Sequence, residues 1–220
     1  MSLSLIASTL LRIAVIDTGL DLHDPRFQDV LCSSGHKDYT SSSIADTDGH
    51  GTHVTGLIKK YAGKESVGKY CLVIYKFYKV EFTGERLMSN MLQAMSEAKQ
   101  ESKIINISAG GPEYDIIEYN IIKHSKDVTY VVAAGNESYN LKKDKYYPAS
   151  YNLTNMIVVG SMGRNGYRAS TSNYGLPGME WETGEKVWST FPVGEGVLSG
   201  TSQATAIHTG KLIKKMLEKK

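Results

Sequence analysis

One Asp, one His and one Ser stand where secondary-structure elements begin or end in this 220-residue chain. Asp17-Thr18-Gly19 follows the apolar run 13–16, His50-Gly51-Thr52-His53 opens a helical pattern, and Gly200-Thr201-Ser202 opens another. A serine hydroxyl is a poor nucleophile at neutral pH, so attack on a carbonyl needs a base within hydrogen-bond reach. His50 suits that role because imidazole titrates near neutrality. The base in turn needs a group that holds its other N–H and stabilises the imidazolium, and the Asp17 carboxylate does both. When Ser202 attacks, the carbonyl oxygen becomes an alkoxide. The side-chain amide of Asn136, within Ala133-Ala134-Gly135-Asn136, and the Ser202 N–H at a helix start are donors for it.

Elements that could position these residues are visible in the pattern. Near-continuous apolar runs at 12–16, 71–77, 104–107, 128–133 and 156–159 suit strands buried on both faces of a parallel sheet. Helical patterns lie between them: Val54, Leu57, Ile58 and Tyr61 share one face, as do Leu87, Met91, Met95 and Ala98. Asp115 with Glu118 three residues on resembles a capping box with Asp as the cap. Alternating strands and helices predict a three-layer α/β/α sandwich with a mostly parallel central sheet, its chemistry on loops at the carboxyl ends of the strands. Asp17, Ser108 and Asn136 all follow apolar runs, where that rule puts them. Residues 160–178 read as loop, too short to divide the chain, and residues 1–220 are expected to form one domain.

Composition narrows the partners. Twenty-five basic and twenty-three acidic residues leave a formal charge of +2, so no whole-molecule field draws the chain to nucleic acid or an anionic membrane. The basic residues Lys211, Lys214, Lys215, Lys219 and Lys220 read as the solvated face of a terminal helix. No stretch approaches the ~18 apolar residues of a membrane span. The first residues lack the pattern of a signal peptide. Cys32 and Cys71 have no C-x-x-C spacing and read as free buried thiols, which leans toward a reducing, cytoplasmic setting over a trimmed secreted protein.

Asp17-Thr18-Gly19, His50-Gly51-Thr52-His53-Val54, Ala133-Ala134-Gly135-Asn136-Glu137 and Gly200-Thr201-Ser202 resemble, in the same order, the signature blocks of the subtilisin-like serine proteases, the subtilases. The resemblance runs from about residue 12 to 210. It implies a subtilisin-like fold, a catalytic triad of Asp17, His50 and Ser202, Asn136 as oxyanion donor, and hydrolysis of peptide or protein substrates without a cofactor. It also implies that Ser108, Ala109 and Gly110, within residues 106–111, pair with the substrate backbone and line the pocket for the residue before the scissile bond. Ala133, Ala134 and Gly135 would form the opposite wall. Small side chains on both walls are expected to leave room for a sizeable substrate side chain.

The chain departs from the family after Ser202, where Gln203-Ala204-Thr205-Ala206-Ile207 stands in place of Met-Ala-Ser-Pro-His. Without the proline the helix is free to start at a slightly different position. The chain also reads as short at its C-terminus, with no propeptide, and these departures lean toward a narrow-specificity processing protease. Two alternatives use the same cleft: a weak pseudo-protease or peptide-binding module, and a peptide ligase or cyclase in which an amine intercepts the acyl-enzyme.

Blander readings cover the remaining candidates. His50 and His53 lack the H-E-x-x-H frame of a zinc site, and His53 is read as a hydrogen-bonded helix residue. Asp21, Asp24, Asp46 and Asp48 are read as ordinary carboxylates, so no metal is expected. Tyr146, Tyr147, Tyr151 and Tyr174 fall in loop-like sequence, where tyrosine buries its ring and keeps its hydroxyl wet.

Overall fold

The computed structural model describes residues 10–219. In chain order it contains β1 (Leu11–Asp17), β2 (Lys37–Asp38), α1 (His50–Ala62), β3 (Tyr70–Lys76), α2 (Gly84–Glu101), β4 (Ile104–Ile107), α3 (Ile116–Lys123), β5 (Thr129–Ala133), β6 (Met156–Met162), β7 (Glu180–Thr183), β8 (Val187–Thr190), β9 (Glu195–Leu198) and α4 (Thr201–Glu218). Seven strands form one sheet in the order β2-β3-β1-β4-β5-β6-β7, and every pairing in it is parallel. β8 and β9 make a separate antiparallel pair.

The apolar runs become the inner strands because both of their faces are covered. Ile13, Val15, Leu72, Ile74 and Val131 pack under Val54, Leu57 and Ile58 of α1 and Ala204, Ile207 and Ile213 of α4. Ala14, Val73, Ile105, Ile107 and Val132 face the opposite way, toward Met91, Met95 and Ala98 of α2 and Ile121 and Ile122 of α3. From β1 the chain crosses over α1 to β3 on one side, then over α2 to β4 on the other. Right-handed crossovers in opposite directions put their helices on opposite faces, and the reversal opens a crevice at the carboxyl end of β1. α4 returns to the α1 face, where Gly210 permits a close crossing: a Cβ there would lie 2.6 Å from the Ile58 carbonyl oxygen.

Three expectations change. Residues 160–162 belong to β6 rather than to a loop. Cys32 and Cys71 are joined in a disulfide, with Cα atoms 4.9 Å apart, rather than being free thiols. The cause is tertiary: the Cys32 N–H donates to the Leu72 carbonyl at 3.0 Å and draws the segment after β1 onto β3. The capping box at α3 is only half formed. Asp115 Oδ1 accepts from the Ile117 and Glu118 N–H groups as an N-cap should, but the Glu118 side chain turns inward to the Tyr151 hydroxyl. Among the described residues no helix is long and apolar enough to cross a membrane. Lys220 and residues 1–9 lie outside the described residues.

Candidate active site

Asp17 ends β1 and His50 begins α1, and their side chains meet although 33 residues separate them. His50 Nδ1 lies 2.7 Å from Asp17 Oδ1. A carboxylate only accepts, so Nδ1 carries the proton and Nε2 is left to accept one. Asp17 is buried, and its Oδ1 also accepts from the Thr18 N–H at 2.8 Å. The approach is close enough to require glycine at position 51, where a Cβ would lie 2.4 Å from the Gly19 carbonyl oxygen. The Gly51 N–H instead donates to Thr18 Oγ1.

Asp46 organises the start of α1 from outside the helix. It accepts from the N–H groups of Asp48, Gly49 and Thr52 and from the hydroxyls of Thr18 and Thr52. The other acids are also engaged locally, Asp24 by Arg26, Asp21 by the His23 N–H and Asp48 by the His50 N–H. Among the described residues no group of three His, Cys, Asp or Glu side chains could hold a metal ion. His53 is buried in α1 and its Nε2–H donates to the Val187 carbonyl at 3.1 Å.

Ser202 is the second residue of α4, which starts at Thr201. Its N–H is among the first of the helix, which have no intrahelical acceptor. The Ser202 hydroxyl donates to the Ser108 carbonyl at 3.1 Å, and Ser108 Oγ donates to the Ser202 carbonyl at 3.3 Å. Asn106 Nδ2 donates to Ser108 Oγ, and Thr209 Oγ1 donates to Asn106 Oδ1. Asn106 and Thr209 thus tie β4 to α4 beneath the nucleophile. Asn106 carried a readable signal, a lone amide inside the run Ile104-Ile105-Asn106-Ile107.

Asn136 lies on the loop after β5. Its Oδ1 accepts from the Thr201 N–H at 2.9 Å and from Thr201 Oγ1 at 3.2 Å. The backbone donor fixes which end of the amide is oxygen, which leaves Nδ2 as the end not bonded to Thr201. Gly135 carries positive φ, 98°, and a Cβ there would lie 2.3 Å from Asn173 Nδ2. Thr201, overlooked in the sequence, therefore orients Asn136 and also accepts from the Gly135 N–H at 3.1 Å.

A cavity of about 270 Å³ at Asp17, Asp48, His50, Phe77, Tyr78, Ser108 and Ala109 adjoins this assembly. Of the residues named from the sequence as pocket walls, Ser108 and Ala109 line this cavity, and Ala133, Ala134 and Gly135 do not. A Cβ on Gly110 would meet Tyr146 Cε1 at 2.6 Å, and one on Gly135 would meet Tyr146 Cδ1 at 3.0 Å, so the Tyr146 ring packs against both walls.

A histidine held by a carboxylate at the end of a parallel strand, a serine at a helix start and an asparagine amide bonded to that helix start are features of the subtilisin class. The subtilase family model matches residues 10–216, and the chain belongs to that family. It is 28% identical to an extracellular serine proteinase of Thermus sp. (strain Rt41A), covering 89% of this chain and 48% of that protein. It is 32% identical to the major intracellular serine protease of Bacillus subtilis (strain 168), covering 92% of this chain and 67% of that one. A cold adapted subtilisin-like serine proteinase of known crystal structure superposes with TM-score 0.79 at 24% identity, over 94% of this chain and 76% of the other, which shows the shared fold. The chain spans about half the length of the Thermus relative.

Proposed function

We propose that the chain is a serine endopeptidase that cleaves peptide bonds through an acyl-enzyme on Ser202. The observation that carries this reading is the 2.7 Å pairing of His50 Nδ1 with Asp17 Oδ1, which dedicates Nε2 to accepting a proton. In the first step the Ser202 hydroxyl leaves the Ser108 carbonyl and turns to His50 Nε2, which takes its proton as Oγ attacks the peptide carbonyl. Asn136 Nδ2 and the Ser202 N–H stabilise the oxyanion. His50 then gives its proton to the leaving amine. A water deprotonated by His50 releases the acyl product and restores the serine. The freed Ser108 carbonyl, together with Ala109 and Gly110, is placed to pair with the substrate main chain.

The restricted space beside Tyr146 supports a narrow-specificity processing enzyme over a general scavenger. The Cys32–Cys71 disulfide favours an oxidising compartment over the cytoplasmic setting suggested by unpaired thiols. Labelling with a serine-directed peptidyl phosphonate tests the activity. One equivalent is expected on the native chain and none on Ser202→Ala. A folded native chain that takes up no label would remove the proposal.

A further inference from the structure

A second cavity, of about 480 Å³, opens beyond the one at His50 and shares Phe77, Tyr78 and Ala109 with it. It is lined by residues 109–111, by Met88 and Met91 of α2, and by Glu118 of α3. Its lining is apolar and aromatic apart from two acids, Glu113 and Glu118, and holds no Lys, Arg or His.

Glu118 is 3% exposed. Its Oε2 accepts from the Tyr151 hydroxyl at 2.7 Å, whereas no donor among the described residues bonds Oε1. Tyr151 is held in turn by rings, its centroid 4.8 Å from that of Tyr147 and 5.6 Å from that of Tyr114. Burial pushes the Glu118 carboxyl up to about 7; the Tyr151 hydrogen bond opposes this and the Asp115 charge adds to it. A buried carboxylate without a cation is costly, and a core position on a helix facing methionines would be filled more stably by an apolar side chain.

Resting on the endopeptidase reading, we propose that Glu118 is a specificity-determining residue. Its carboxylate, in the lining of this apolar cavity, receives the cationic side chain of a Lys or Arg on the acyl side of the substrate, upstream of the scissile bond. The cavity walls take the aliphatic stem, and Glu118 Oε1 takes the charged head. Glu113 adds negative charge to the same lining.

Binding to the full chain carrying Ser202→Ala tests this without turnover. A positional-scanning library of N-acetylated hexapeptides is titrated with Lys or its uncharged isostere norleucine at each position in turn. At one upstream position Lys should bind about tenfold or more tightly than norleucine, the strength of a charge-assisted hydrogen bond in a partly dry site. Adding Glu118→Gln, which keeps the shape, or Glu118→Leu, which needs no hydrogen bond, should abolish the difference between lysyl and norleucyl peptides. The proposal is overturned if no position distinguishes the two side chains, or if the preference survives both substitutions. Phosphonate labelling separates the two readings. A chain that labels at Ser202 without any charge preference loses this proposal alone, and one that selects lysyl peptides without labelling loses the endopeptidase reading alone.

Discussion

In the proposed reaction imidazolium cannot accept the Ser202 proton, so the charges around His50 set the pH at which attack begins. Burial alone would depress the imidazole, but the Asp17 carboxylate reverses this through charge and hydrogen bond. With Asp48 and Asp46 adding, the pKa is pushed up to about 9 from 6.5. The neutral base is then scarce at neutral pH and accumulates as pH rises, so kcat/KM should climb through the alkaline range toward a plateau above about 9. A kinetic limb at or below 6.5 would contradict that coupling. Asp17→Asn should move the limb to lower pH and reduce kcat by about 10⁴-fold, because the amide no longer selects the productive tautomer. Tyr146 acts on selectivity in a different way, by occupying space against Gly110 and Gly135. Tyr146→Ala should therefore raise kcat/KM for peptides with Phe or Leu before the scissile bond, relative to Ala, by roughly tenfold or more. An unchanged ratio would mean that the ring does not border that side chain.

α1 delivers His50, yet its N-cap is Gly49 and no side chain caps it from that position. Asp46 does so from the preceding loop, collecting three N–H groups and two hydroxyls. Asp46→Ala strands several of these in a buried site and should cost about 2–4 kcal/mol in denaturant-derived stability. A loss below ~1 kcal/mol would show that water replaces the carboxylate without penalty. The contrast between Asp46 and its neighbours shows what the sequence could convey. β1, β3, β4, β5 and β6 were legible because strands covered on both faces must be apolar throughout. β2 has two residues, and β7 reads Glu180-Trp181-Glu182-Thr183 at the sheet edge, where no such demand exists. The Asp17–His50 pairing was legible because each residue sits in a short local block. Tyr146, Thr201 and Glu118 were not, since their roles arise only when distant segments meet: Thr201 at Asn136, Tyr146 beside Gly110 and Gly135, Glu118 in a cavity lined also by α2 and residues 109–113. For Glu118 the local cue even misled, because an acid in the first turn of a helix is expected at its cap.

At the scale of the molecule, residues 32–71 form a loop closed by the disulfide and carry both Asp46 and all of α1. The remaining parts of the site, Asp17, Asn136 and Ser202, come from outside that loop, so assembly requires the loop to be held against β1 and β3. Closing a chain separation of 39 residues removes unfolded-state entropy worth about 3–4 kcal/mol. For a chain of this size that corresponds to a fall of about 10 °C in Tm when the bridge is lost. The bridge itself lies in the core on the α2–α3 face, whereas α1 and α4, which begin at His50 and just before Ser202, pack on the opposite face. The double substitution Cys32→Ser, Cys71→Ser should therefore lower Tm by about that amount while leaving kcat/KM near its original value well below the transition. Thermal unfolding with and without reductant, followed by peptidase assays at low temperature, checks both halves. An unchanged Tm would mean that the loop is held by packing alone. A loss of activity in the cold, folded double variant would mean that the bridge also sets the geometry at His50.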